Sequence, residues 1–190
     1  MTTSATRLKT GLRCLIRHQA ASVLAETAMM LSVLSALSLA GVEAARFTLL
    51  HQKLERVAAG IGDMVAQSES LTETDIGNIM AAVEYIAHPF NVTGNGRVVV
   101  SAVSASNDNP PTMNWQRSGG GGYAAGSHVG TPGGNLTLPP GLTVANGDTV
   151  IVAEVIYRYT PWIFADLIGP ADVYQSAFFR PRFGALTQIN

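Results

Sequence analysis

The first third of the chain carries the clearest pattern, an apolar run that continues without a helix breaker into an amphipathic stretch. Residues Ala28 to Val42 are fifteen consecutive positions without a charged side chain. Beyond them the apolar positions recur three or four residues apart, at Leu50, Leu54, Val57, Ile61 and Met64. This spacing is the period of one helix face. The pattern predicts one long helix over residues 22–68, apolar all round in its first half and one-sided in its second.

The apolar half of this helix is predicted to cross a membrane. A spanning helix needs about 20 residues, so the span is expected to cover about residues 24–46, with Glu26 and Glu43 near its ends. Four cations precede the first acid of the chain, at Arg7, Lys9, Arg13 and Arg17. By the positive-inside rule, residues 1–21 form a basic leader in the cytoplasm and the chain passes the membrane once, outward.

Two further features of the span concern contacts with other helices and with water. Every fourth residue is small, which provides a face where another helix can approach closely: Ala28, Ser32, Ala36, Ala40 and Ala44. Glu43 lies three residues before Arg46 on the same helix face, where the two can pair and Glu43 can reach water at the membrane edge.

Residues 69–190 are predicted to form an α+β domain with a second, short helix and a small antiparallel sheet. Thr72 can cap a helix that His88-Pro89 ends. Strands are expected in four stretches rich in β-branched and aromatic residues, at 97–104, 112–117, 149–159 and 173–183. The Gly-rich segment 118–134 is long for a loop and is predicted to be mobile or ordered by a partner.

The strand over residues 149–159 is predicted to be covered on both faces. One face is apolar throughout, whereas the other holds Val152, Glu154, Ile156 and Arg158. We expect the long helix to cover this half-polar face, and Glu154 and Arg158, which share it, to pair.

Composition and charge exclude several classes of function. Only 13% of residues are charged while 47% are hydrophobic, and the net charge of −1 argues against nucleic-acid binding. The histidines at 18, 51, 88 and 128 lack metal-ligand spacing, and Cys14 is the single cysteine. No nucleophile-elbow motif is present. The sequence therefore predicts a non-enzymatic protein without a cofactor.

Two segments resemble a known family. Val23-Leu24-Ala25-Glu26-Thr27-Ala28, followed by the stretch from Leu39 to Arg46 with Gly41, Glu43 and Arg46, is similar to the TadE/TadF pseudopilins of tight-adherence (Flp, type IVb) pilus systems. The resemblance covers roughly residues 17–67. Ala21 stands where the family usually has glycine, and Thr27 where it has an aromatic residue.

The resemblance implies a pilin-like fold and a set of partners. A prepilin peptidase would cut between Ala21 and Ser22, which makes Glu26 the fifth residue of the mature chain. Glu26 would then pair with the free amine of Ser22 in a neighbouring pilin. The expected place is the bacterial inner membrane, with the C-terminal domain periplasmic, or the pilus itself. Other pilins and pilus assembly proteins are the expected partners, and the expected function is assembly of a pilus for surface attachment.

Two alternatives use the same residues differently. The apolar run could be the core of a secretory signal cut after Ala40, which would release a soluble binding module that begins at Gly41. Alternatively the chain could stay uncut, as a membrane anchor that holds partners through its small-residue face. The position of the mature N-terminus distinguishes all three.

Overall fold

The protein has an α+β fold in which a long N-terminal helix precedes a small antiparallel sheet. The computed structural model describes residues 19–106, 109–139 and 141–190, with side chains from Ser22 onward, so most of the predicted leader lies outside it. The elements are α1 (Gln19–Ala66), α2 (Glu73–Ala87), α3 (Val92–Asn95), β1 (Gly96–Ser104), β2 (Thr112–Gly119), β3 (Thr149–Tyr159), α4 (Ala165–Ile168) and β4 (Ala171–Phe179). The chain divides into two compact units between Ala45 and Arg46.

The second unit contains the amphipathic part of α1, and its predicted stripe is confirmed. Leu50, Leu54, Val57 and Ile61 are fully buried, while Met64 packs at the margin of the same core. Helix α1 ends at Ala66, two residues before the predicted end. The helix continues unbroken through Gly60 and Gly62, since its other residues are mostly strong helix formers.

Helix α2 begins and ends where its sequence signals predict. The Thr72 hydroxyl accepts a hydrogen bond from the Asp75 amide at 3.1 Å, and the Asp75 carboxylate accepts one from the Thr72 amide at 3.0 Å. This reciprocal pair is a capping box. The hydrogen bonds from the Thr72 hydroxyl and amide lower the pKa of Asp75. The helix ends at Ala87 because His88 takes an extended conformation before Pro89.

The sheet has the strand order β2-β1-β3-β4, and every neighbouring pair is antiparallel. Strand β3 has the predicted bounds, while β1 and β2 extend the predicted strands by one and two residues. The last strand runs over Ala171–Phe179 and not over 173–183. Pro181 explains the early end, because proline has no amide hydrogen for the ladder.

The two faces of the sheet are covered by different parts of the chain. On the first, which we call the helix face, Ile151, Ala153 and Val155 join one buried cluster with α1 and α2. On the second, the loop face, Val150 and Val152 pack with side chains from the connections between strands. The expectation that α1 covers the half-polar face is therefore wrong. The uniformly apolar stripe of a helix is buried more completely against the uniformly apolar side of β3.

Part of the Gly-rich segment 118–134 packs against the sheet and the rest is largely exposed, while its mobility or ordering by a partner stays a prediction. Its first two residues, Ser118 and Gly119, belong to β2, and Val129 is fully buried on the loop face. Gly120 has a φ of +92°, and a Cβ on Gly121 would stand 2.0 Å from the Thr93 carbonyl oxygen. Gly120 is needed for a backbone turn and Gly121 for a close backbone contact. The sequence alone indicates only that glycine is conformationally free.

Gly62 sets how closely α1 approaches the helix face. A Cβ at this position would stand 2.7 Å from the Phe179 ring and 3.3 Å from the Ala153 Cβ. The same atom at Gly60 would meet only the Ile86 Cδ1, at the ordinary contact distance of 3.6 Å. Gly60 and Gly62 are two residues apart and face different sides of α1, so a side chain is accommodated at Gly60 but not at Gly62.

Gly62→Ala is expected to destabilise the domain, while Gly60→Ala stabilises it. Alanine gains up to about 1 kcal/mol of helix propensity at either site. At position 62 the overpacking cost of about 1–3 kcal/mol exceeds that gain. Thermal unfolding of the full chain in detergent, followed by circular dichroism, should place Gly62→Ala below wild type and Gly60→Ala at or above it. Equal shifts in the two variants would contradict close packing at Gly62.

Candidate functional site

The apolar half of α1 is exposed along its whole length in the first unit. Its large apolar side chains are between 47% and 72% exposed, and they are Val23, Leu24, Met29, Met30, Leu31, Val33, Leu34, Leu37, Leu39 and Val42. Among the described residues, α1 is the one helix that is long and apolar enough to cross a membrane. Its N-terminal part meets this requirement, with a mean hydropathy of 1.8. An exposed apolar surface of this extent marks a membrane or protein contact.

The polar groups within this half are few, and two of its hydroxyls are satisfied by the helix itself. Thr27 donates to the Val23 carbonyl at 2.7 Å, and Ser32 donates to the Ala28 carbonyl at 2.9 Å. Hydroxyls bonded in this way tolerate apolar surroundings, because no donor is left without an acceptor. Glu26 is exposed, and none of the ion pairs between described residues includes it.

The residues predicted for cleavage and helix packing all lie on α1. Ala21 and Ser22 belong to its first turn, and Glu26 follows Ser22 by four residues, about one turn. The small residues Ala28, Ser32, Ala36, Ala40 and Ala44 are exposed. The Ser32 hydroxyl turns back to the backbone, so this face presents little polarity to a partner.

Glu43 and Arg46 fall on either side of the boundary between the two units. Glu43 is 7% exposed, and Arg46 is half-buried in the second unit. The pairing of these two side chains stays a prediction. The structure does show what Arg46 contacts within its own unit.

Arg46 lies in a cluster of aromatic rings that was not predicted from the sequence. Its guanidinium stands 3.7 Å from the ring centre of Trp162, 5.6 Å from Tyr159 and 5.7 Å from Phe90. The Phe47 ring extends the cluster, 5.2 Å from Tyr159. Attraction between the cation and the ring faces offsets part of the cost of covering the guanidinium. Arg46 Nη1 is buried and has no hydrogen-bond acceptor among the described residues.

A second polar site surrounds Glu154, which is fully buried on the loop face. Its carboxylate accepts hydrogen bonds from the Ser127 hydroxyl, from the His128 amide at 2.8 Å and from the Tyr174 hydroxyl at 3.1 Å. The His128 ring stacks on Tyr174, with centres 4.1 Å apart. These three donors satisfy a carboxylate that would otherwise be costly to bury.

The Glu154 site fastens the Gly-rich segment to the sheet. Ser127 donates to a carboxylate and not to a histidine, and His128 contributes its backbone amide, so the group lacks the nucleophile–base pair of a hydrolase. The signal for this site was a single glutamate inside the apolar strand 150–156, which implies buried donors nearby. Those donors come from distant parts of the chain.

Glu154 and Arg158 do not pair as predicted. Arg158 donates to Asp172 at 3.1 Å and approaches the Tyr123 hydroxyl at 3.5 Å. Four residues along a strand separate two side chains by about 13 Å, which exceeds the reach of a direct ion pair. Cross-strand neighbours supply the partners instead, since Arg158 stands opposite Asp172 in the β3–β4 register. Hydrogen bonds from Tyr123 and Arg158 lower the pKa of Asp172.

Comparison with protein-family models, with curated protein sequences and with solved structures finds no match for this chain.

Tyr174 should ionise only in strongly alkaline solution. Burial, reinforced by the nearby Glu154 carboxylate, raises its pKa from 10.0 to about 12. A raised pKa means that protonated Tyr174 stabilises the fold fully below pH 10 and that this contribution is lost as the pH rises towards 12. In a spectroscopic titration of ionised tyrosine, Tyr174→Phe should remove the step near pH 12 and flatten the loss of stability over this range. Tyr85→Phe, at an exposed position, is the control and should leave the step near pH 12 in place.

Proposed function

We propose that this protein is a non-enzymatic minor pilin or pseudopilin that supports assembly of a tight-adherence pilus. It is anchored by one pass of α1 in the bacterial inner membrane, with its N-terminus cytoplasmic and residues 46–190 periplasmic. The observation that carries the proposal is the carboxylate of Glu26, which forms no ion pair with another described residue, at the start of an exposed apolar helix and four residues after Ser22.

The chemistry of Glu26 supports a role in assembly. An unpaired carboxylate in hydrocarbon is costly, and an intramembrane acid is a functional candidate by default. If the leader is removed before Ser22, the new terminal ammonium of one chain can neutralise Glu26 of a neighbour. Chains would then associate partly because association compensates a charge that is unfavourable in the bilayer.

The rest of α1 supports association between helices. The exposed small residues from Ala28 to Ala44 allow close backbone approach, which favours packing inside a membrane or a fibre core. The second half of the helix is occupied by its own sheet. This division, with one half free for partners and the other fixed to a domain, fits the pilin-like fold that the family resemblance implies.

The mature N-terminus tests the proposal. Mass spectrometry of the protein from membrane and sheared-surface fractions of its native host should find a start at Ser22, and the start should disappear when the prepilin peptidase is deleted. A start at Gly41 would instead indicate a secreted module. An intact leader would indicate an uncut anchor, and either of these results contradicts the proposal.

Glu26→Gln separates assembly from membrane insertion. The variant keeps the shape of the side chain and removes its charge, so membrane insertion should be unchanged or improved while surface pili are lost. Electron microscopy and shearing assays measure pili, and alkaline extraction measures insertion. Glu55→Gln, which removes an exposed carboxylate from the second half of α1, is the matched control and should keep wild-type pili. Normal piliation in Glu26→Gln would refute the assembly role.

A further inference from the structure

An exposed apolar ridge lies between β3 and β4. It consists of Trp162, Ile163, Leu167 and Ile168, of which Trp162 is 74% exposed and Leu167 81%. Asp166 is the one charged residue in the sequence from Tyr159 to Ala171. The Glu154 site does not include the ridge, and large apolar side chains grouped at a surface indicate a contact with lipid or protein.

The ridge contacts Arg46, which lies just beyond the uncharged run of α1. Trp162 lies 3.7 Å from the Arg46 guanidinium. Arg46 follows Val42, the last residue of the uncharged run, by four positions. Four residues of chain reach at most about 14 Å even when fully extended. Trp162 therefore contacts a residue that a short length of chain connects to the end of the apolar segment.

The residues around the ridge are those that favour a membrane–water boundary. The exposed Trp162 combines a large apolar ring with one N–H donor, and such side chains are enriched at that depth. The guanidinium of Arg46 lies against the Trp162 ring, and this contact fixes the ring beside the helix. The Phe47 ring, beside Tyr159, adds a further apolar contact at the same place.

We propose that the Trp162–Ile168 ridge inserts into the headgroup–acyl boundary of the bilayer that α1 crosses. The periplasmic domain would then have two membrane contacts, its helical anchor and this ridge. The inference rests on the membrane-spanning part of the proposed function and is independent of pilus assembly. Lipid is the favoured occupant because the ridge contacts Arg46, which follows by only four residues the apolar run that itself requires lipid.

Fluorescence quenching in liposomes tests the insertion. The full chain is reconstituted at low protein density in liposomes whose lipids carry bromine on the acyl chains. The protein has two tryptophans, and Trp115 is buried, with its indole donating to the Leu186 carbonyl at 2.8 Å. Bromine should therefore remove up to about half of the emission in wild type, the share of the interfacial Trp162. It should remove little in Trp162→Phe, which keeps a ring beside Arg46.

A relocated tryptophan provides the matched control. Phe183 is 56% exposed, and its neighbour Arg182 donates its amide to the carbonyl of Ala66 at 2.8 Å. Ala66 lies twenty residues beyond Arg46 on α1, about 30 Å along the helix axis. The double variant Trp162→Phe/Phe183→Trp thus has an exposed tryptophan in the same domain but far from the ridge. Its added emission should resist bromine quenching.

Three results would overturn the inference. The first is equal quenching of wild type and Trp162→Phe, and the second is quenching of the relocated tryptophan as strong as that of wild type. The third is a Trp162 that is shielded from aqueous acrylamide yet unaffected by bromine, which would mean that a second copy of the chain covers the ridge. Alkaline extraction of the same liposomes separates the two proposals. A chain that is stripped off refutes the membrane anchor as well, whereas a retained chain with unquenched Trp162 refutes only the ridge insertion.

Discussion

The packing of the second half of α1 on the helix face of the sheet is the contact on which the domain depends. Leu50, Leu54, Val57 and Ile61 supply one continuous apolar stripe, and the central strands supply a complementary apolar surface. Burial of these side chains is the main favourable contribution to folding here, and Gly62 permits the short distance between helix and sheet. Because the helix occupies one face, the Gly-rich segment and the other strand connections must cover the opposite one.

Because both faces of the sheet are covered, the charged groups of Glu154 and Arg46 are surrounded by other side chains. The two groups are stabilised in different ways. Glu154 accepts hydrogen bonds from Ser127, His128 and Tyr174, which hold residues 127 and 128 of the Gly-rich segment against the sheet. Arg46 is surrounded by rings and leaves one nitrogen without an acceptor among the described residues. A fully satisfied carboxylate specifies a local structure, whereas the guanidinium is stabilised mainly by the rings around it.

The two halves of α1 are both helical but have different surroundings: the first half exposes apolar side chains, and the second packs on the sheet. In the first half the backbone bonds are internal and two hydroxyls return to the helix, so little polarity opposes contact with lipid. In the second half Glu55 and Arg56 are exposed, on the side of the helix away from the buried stripe. The aromatic cluster at Arg46 lies where these surroundings change. On the proposed function, this is the depth at which the chain passes from bilayer to water.

Properties that depend on local spacing were determined by the sequence itself. These include the apolar run, the amphipathic stripe, the Thr72 cap, the stop before Pro89 and the bounds of β3, because each depends on residues within one or two turns or on one strand. The tertiary structure alone decided which face α1 covers, the partners of Glu154 and Arg158, and the meeting of Arg46 with Trp162. Those contacts join residues from 14 to 116 positions apart. Local periodicity cannot predict contacts between residues so far apart in sequence. They are set by strand register and by competition among all surfaces for burial.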